Sequence, residues 1–197
     1  MIFKSLFQTP IQISEAKIGL LNVELNKLIY RLKEKNNSNE MTKHNGFQSI
    51  IYNHKDFLIT NQFINVQINF INNYISQFQL KQNHEWNIKG LWFNVNPKYS
   101  LNNLHTHCDC DFSAVYYIQV PKNSGNIIFE NPNPVMLHQG FYQNQFYYNE
   151  FNSNSFEIEP KDNMLILFPS YLPHRVGQNL SDQDRISLSF NIKVDIK

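Results

Sequence analysis

The feature that most constrains how this chain can fold is a change of hydrophobic period near Asn83. Upstream of it, apolar residues recur every three or four positions; downstream they alternate. Between Ser14 and Lys35, the residues Ile18, Leu21, Leu25, Leu28, Ile29 and Leu32 form the stripe of an amphipathic helix. Ser14-Glu15 stands at its predicted start and basic residues near its end, as capping and the helix dipole favour. The polar stretch 36–40 reads as a linker, and His44-Asn45-Gly46-Phe47-Gln48-Ser49 as a turn into irregular structure. A second helix is predicted from about Thr60 to Leu80, with Phe63, Ile64, Ile71, Tyr74, Ile75 and Phe78 turned inward.

Past the change of period, Trp86, Ile88, Leu91, Phe93 and Val95 alternate with more polar neighbours around Gly90, the pattern of a half-buried strand. Further strands are predicted at Phe112 to Val120, Gly125 to Glu130, Ser155 to Glu159, Met164 to Phe168 and Arg185 to Val194, separated by Pro-, Gly- and Asn-rich turns. Two helices followed by many short strands predict a mainly β fold with N-terminal helices packed on one face of a double-sheet jelly roll. A length of 197 residues supports one buried core and is short for two enzyme domains. The expectation is a single domain over 1–197, with 1–82 mainly helical support and 83–197 the jelly-roll core. Gln139 to Asn154, rich in Tyr, Phe and Asn, is the least patterned segment and reads as a loop over a site.

Charge narrows the function classes. A formal net charge of +1 with no Lys/Arg block lacks the electrostatic footprint of a nucleic-acid binder. No apolar run is long enough to span a bilayer, and the first residues lack a signal-peptide core, so a soluble cytoplasmic protein without membrane contact is expected. Cys108 and Cys110 stand too close together for an ordinary disulfide framework, which fits a reducing compartment.

The chemistry is concentrated in two places. Leu104-His105-Thr106-His107-Cys108-Asp109 is answered far downstream by Phe168-Pro169-Ser170-Tyr171-Leu172-Pro173-His174, and then by Arg185-Ile186-Ser187. A spacing of two puts side chains on one face of an extended strand, a condition met by His105 with His107 and again by His107 with Asp109. With His174 either pair completes a three-ligand site with open positions, suited to a non-haem Fe(II) centre that activates oxygen. A zinc site from His105, His107, Cys108 and Cys110 fits poorly, because structural zinc sites bring two separated ligand pairs. His174 could instead cap its loop, but the apolar run Met164 to Phe168 delivers that loop from a buried strand. Arg185 offers a planar fork matched to a carboxylate, with Ser187 on the same strand face, on a strand expected to lie beside Met164 to Phe168. The competing reading is a surface salt bridge to Asp182 or Asp184. Tyr116, Tyr117, Trp92 and Phe190 are candidates for pocket walls or for core, and alternation allows at most one of the two adjacent tyrosines to face the metal.

At these residues the sequence resembles the Fe(II)/2-oxoglutarate-dependent oxygenase superfamily and, more closely, an oxygenase family of marine bacteria and their phages. The resemblance is carried by His44 to Ser49, Leu104-His105-Thr106-His107, Phe112 to Ile118, Ser124-Gly125-Asn126-Ile127-Ile128-Phe129, Phe168 to His174 and Arg185 to Asn191. It implies a double-stranded β-helix, the cupin-like variant of the jelly roll, with Fe(II) as cofactor and 2-oxoglutarate as co-substrate. His174 is then the distal iron ligand, Arg185 binds the far carboxylate of 2-oxoglutarate with Ser187 assisting, and Tyr117 reaches the same carboxylate. The superfamily's usual His-x-Asp/Glu selects His107 and Asp109. The closer family's His-x-His selects His105 and His107, the pair adopted here with Asp109 as the alternative to His105. The implied reaction is hydroxylation of a small-molecule or peptide substrate by molecular oxygen, with release of succinate and CO2, in the host cytoplasm if the chain is phage-encoded. Two other accounts stand beside it: a metal-bound jelly-roll module without turnover, and a cupin-like dioxygenase that does not use 2-oxoglutarate. Substrate identity is not encoded in any motif, and the apolar stripes of the helices suit either a covered sheet or an oligomer face.

Overall fold

The computed structural model describes residues 8–35, 43–80, 83–133 and 153–196. Eleven strands and two helices lie in these segments, and every strand pairing between them is antiparallel. The strands are β1 (Gln12–Glu15), β2 (Lys43–His44), β3 (Phe47–Gln48), β4 (His84–Asn96), β5 (Leu101–His105), β6 (Phe112–Gln119), β7 (Ile127–Glu130), β8 (Ser155–Ile158), β9 (Met164–Pro169), β10 (His174–Val176) and β11 (Arg185–Ile196). The helices are α1 (Leu20–Glu34) and α2 (Leu58–Ser76). A six-stranded sheet runs β1-β9-β6-β11-β4-β3 and a five-stranded sheet β2-β5-β10-β7-β8. This is the expected helix-backed double-stranded β-helix.

Alternation sorts the large sheet into two faces. Leu91, Phe93 and Val95 of β4, Ala114 and Tyr116 of β6, Leu165 and Leu167 of β9, and Ile186, Leu188 and Phe190 of β11 form one cluster with α1 and α2. Within it Phe63 of α2 lies 5.0 Å from Tyr116 and 6.2 Å from Phe190, ring centre to ring centre. On the opposite face Val115, Tyr117, Ile166 and Phe168 meet Ile127, Phe129 and Ile158 of the small sheet. Tyr116 and Phe190 are therefore core, while Tyr117 and Trp92 face the space between the sheets.

Several local expectations change. Ser14-Glu15 does not open a helix but pairs in β1 with Leu165 and Met164 of β9. The edge of a long sheet, and the bonds Gln12 makes with Phe70 and Asn73 of α2, outweigh a capping signal of modest strength. Helix α1 starts instead after Gly19, whose φ of 48° favours glycine, and without a side-chain cap. Helix α2 stops at Ser76, short of Leu80. Phe47–Gln48 is a short strand where a turn was expected and His174–Val176 one where a loop was expected, and through β1, β2 and β3 the N-terminal region adds to both sheets as well as backing one. β11 does not lie beside β9, because β6 intervenes. The linker 36–40 and residues 139–152 of the aromatic loop lie outside the described residues.

Candidate metal centre

β5 and β10 pair so that His105 and His174 sit directly opposite each other, and Phe129 of β7 flanks His174 on its other side. His107 lies two residues past the end of β5, where its backbone N–H donates to the Ser170 carbonyl at 3.0 Å and the Ser170 N–H donates to Asp111 O at 3.0 Å. These bonds fold the loop after β5 against the loop before β10. As a result one nitrogen from each of His105, His107 and His174 comes within 4.8 Å of the others, the one such group of potential ligands among the described residues. Asp109 is exposed, in a turn with φ 59°, outside that group. Cys108 is also exposed, and Cys110 turns its thiol towards Ser170 Oγ at 3.2 Å.

Hydrogen bonding selects the tautomers. His105 Nδ1 lies 2.7 Å from the Asn103 carbonyl and His174 Nδ1 2.9 Å from the Leu172 carbonyl. A carbonyl can only accept, so each Nδ1 carries the proton and each Nε2 keeps a free lone pair. His174 Nε2 and His107 Nε2 stand 3.4 Å apart. Among the described residues no such bond fixes the tautomer of His107; with its proton on Nδ1, the two Nε2 atoms at that separation can share a cation. Burial, reinforced by the neighbouring His105, pushes His107 down to about 4 and His174 down to about 3. Both are neutral at pH 7, as metal ligation requires.

The imidazoles open onto a cavity of about 290 Å³ between the sheets, also lined by Trp92, Asn94, Tyr117, Arg185, Ser187 and Asn191. Arg185 is 2 % exposed. Neither expected salt-bridge partner reaches it: Asp182 pairs with Lys98 and Asp184 with Lys33. Its Nη1 donates to the carbonyls of Ser124, Gly125 and Gly177, and its Nη2 is buried without a partner. Burial pulls Arg185 below its usual range, but a guanidinium starts so high that it stays cationic. Burial pushes the Tyr117 hydroxyl up to about 12 against the opposing pull of Arg185, so it remains a neutral donor. An unsatisfied cationic donor, a neutral hydroxyl and Ser187 thus line one cavity with three clustered imidazoles, a donor set that fits a divalent metal and a carboxylate.

Sequence reasoning gave no weight to the asparagines. Asn94 and Asn96 are buried on the cavity face of β4, where Asn94 Nδ2 donates to Ser189 Oγ at 3.3 Å and Asn96 Nδ2 to Asn102 Oδ1 at 3.1 Å. Their signal was register: both alternate with the apolar Phe93 and Val95, on the face shared with Trp92.

The fold has well-matched counterparts. A prolyl-4-hydroxylase from Pseudomonas putida is similar with TM-score 0.67 at 16% identity, over 95% of this chain and 94% of that one. The viral collagen prolyl hydroxylase of Paramecium Bursaria Chlorella virus-1, in its 2OG complex, gives 0.60 at 13%, over 92% and 94%. HygX from Streptomyces hygroscopicus, with nickel and 2-oxoglutarate bound, gives 0.64 at 11%, over 94% and 83%. No curated protein matches the chain by sequence. The 2OG-Fe(II) oxygenase family model matches residues 90–191, from Gly90 in β4 to Asn191 in β11 with every candidate ligand and Arg185 inside it, and the chain belongs to that family of Fe(II)- and 2-oxoglutarate-dependent enzymes.

Proposed function

We propose that His105, His107 and His174 hold the Fe(II), that Arg185, Ser187 and Tyr117 receive the far carboxylate of 2-oxoglutarate, and that the enzyme hydroxylates a small-molecule or peptide substrate. Residues 1–197 act in this reading as one oxygenase domain. The observation that carries it is the buried, unpartnered Arg185 Nη2 in the same cavity as the three imidazoles. A buried cation without an anionic partner costs several kcal/mol, on the order of what an arriving carboxylate can recover. Among similar folds, a prolyl hydroxylase from Trichoplax adhaerens is known in complex with a peptide fragment and HygX with hygromycin B bound, so both substrate sizes suit this architecture.

Held by His105, His107 and His174, Fe(II) would supply the redox chemistry that couples oxygen to the decarboxylation of 2-oxoglutarate. The protein's own part is orientation. The Asn103 and Leu172 carbonyls hold the two Nδ1 protons and so aim the Nε2 lone pairs of His105 and His174. Arg185 fixes the co-substrate at its far end through a charge-assisted bond, and Tyr117 donates from a site too buried to ionise. Trp92, whose ring centre lies 5.5 Å from that of His107, walls the cavity beside that ligand.

Anaerobic Fe(II) titration with and without 2-oxoglutarate tests the assignment through the visible charge-transfer band of the chelate. The band is expected in the wild type and in Asp109→Ala, and is lost in His105→Ala. Arg185→Ala should need roughly ten- to a hundredfold more 2-oxoglutarate, as loss of a buried charged hydrogen bond implies. A band that survives His105→Ala and vanishes in Asp109→Ala moves the ligand to Asp109. Bound iron with no band in any variant sinks the 2-oxoglutarate assignment.

A further inference from the structure

The Ser124-Gly125-Asn126 turn has no role in the reading above, yet it supplies most of what Arg185 touches. Nη1 donates to the Ser124 carbonyl, to Gly125 O at 3.2 Å and to Gly177 O at 3.4 Å, while Nη2 has no partner. Gly125 has φ +90°, and a Cβ there would meet the Gly177 carbonyl carbon at 2.6 Å and Gln178 O at 2.9 Å. A side chain at Gly125 therefore collides with backbone that has nowhere to go. The crossing is fastened from both sides: Gly177 N–H donates to Asn126 O at 2.8 Å and Leu180 N–H to Asn123 O at 2.9 Å. Asn179 Nδ2 further pins the 177–183 segment to Asn96 O and closes it on its own Gln183 O, at 2.8 Å each.

A guanidinium free to turn can meet a carboxylate through several pairs of its donors. One whose Nη1 is shared among three backbone carbonyls is held in its plane, and Nη2 is the nitrogen left without a partner. We propose that the Ser124, Gly125 and Gly177 carbonyls form a collar that dictates which nitrogen of Arg185 the co-substrate meets, and that Gly125 is thereby a positioning residue for the choice of a five-carbon dicarboxylate. This rests on the assignment of Arg185 to 2-oxoglutarate. It also separates arginine from lysine at this site. An ammonium has three donors and the collar three acceptors, so lysine would keep the charge but turn it onto the collar. Arginine alone spans collar and ligand together.

The test compares 2-oxoglutarate with 2-oxobutyrate, which has the same keto-acid head and no far carboxylate. Two readouts are taken: half-saturation of the anaerobic Fe(II) chelate band, and the thermal shift that each acid gives the metal-free protein. Wild type should prefer 2-oxoglutarate in both. Gly125→Ala should lose that preference by roughly tenfold or more while 2-oxobutyrate is held as before, since only the far carboxylate meets Arg185. A merely structural defect would weaken both acids together. Arg185→Lys should behave like Arg185→Ala, and it decides the matter if Gly125→Ala does not fold. A folded Gly125→Ala with the wild-type preference, or an Arg185→Lys that holds 2-oxoglutarate within about threefold of wild type, overturns the collar. Wild type without any preference overturns the assignment of Arg185 itself, a different result from preference present but insensitive to both substitutions.

Discussion

His105, His107 and His174 bring no negative charge to the site they form, and no carboxylate joins their group among the described residues. A dication held by three neutral imidazoles keeps its full charge until an anion arrives, unlike one held by two imidazoles and a carboxylate. Arg185 adds a second uncompensated positive charge to the same cavity. Metal and 2-oxoglutarate should therefore depend on each other strongly, and the dependence must be reciprocal. Isothermal titration with Fe(II) under nitrogen is expected to show weak binding alone and at least about tenfold tighter binding with saturating 2-oxoglutarate, a coupling of roughly 1.4 kcal/mol or more. Equal affinity with and without the acid would mean that some other group neutralises the metal.

The central strands β4, β6, β9 and β11 of the large sheet give one set of residues to the helices and the other to the space between the sheets. On β11, Ile186, Leu188 and Phe190 pack under the helices while Arg185, Ser187, Ser189 and Asn191 line the cavity. Helix α2 therefore backs the strands that present the site residues. Phe63, fully buried between Tyr116 and Phe190, carries much of that contact. Phe63→Ala should cost about 3–5 kcal/mol in urea unfolding, as expected for an aromatic removed from a packed core. Because the helix supports the site only through β6 and β11, the substitution should lower the melting temperature while the 2-oxoglutarate half-saturation of the folded enzyme changes little. A large rise in that half-saturation would place α2 in direct control of the cavity.

Across the molecule, burial is the main influence on the tyrosines that stitch helices and sheets together. It pushes Tyr116 and Tyr117 each up to about 12 and Tyr74 higher still. A tyrosine whose folded value lies above its ordinary 10 contributes stability that is complete below pH 10, since neither state is then ionised. Between pH 10 and 12 the unfolded chain gives up the proton and the folded chain does not, so that contribution is lost as pH rises. Melting temperature should accordingly hold steady up to about pH 10 and fall above it, with a shallower fall in Tyr117→Phe. A melting temperature unchanged to pH 12 would show these hydroxyls to be better solvated than their packing implies.

The sequence by itself determined the fold class, because period is local: a stripe every three or four residues can only bury itself as a helix, and alternation only as a strand. It also nominated His105, His107, His174, Arg185 and Ser187, residue types that metal and carboxylate chemistry require, and alternation separated Tyr117 from Tyr116. Where His105 and Asp109 lie relative to His174 depends on pairing across the sheet, which the sequence does not encode. Both stand two residues from His107, but only His105 faces His174 in the β5–β10 register, while Asp109 turns outward at a positive φ. The conversion of Ser14-Glu15 into strand, the cavity positions of Asn94 and Asn96, and the carbonyls around Arg185 were likewise decided by tertiary structure. Each depends on backbone groups or neighbours brought in from far along the chain, such as Gly125 against Gly177. No local pattern encodes such contacts, because the free energy that selects them exists only once the sheets have closed.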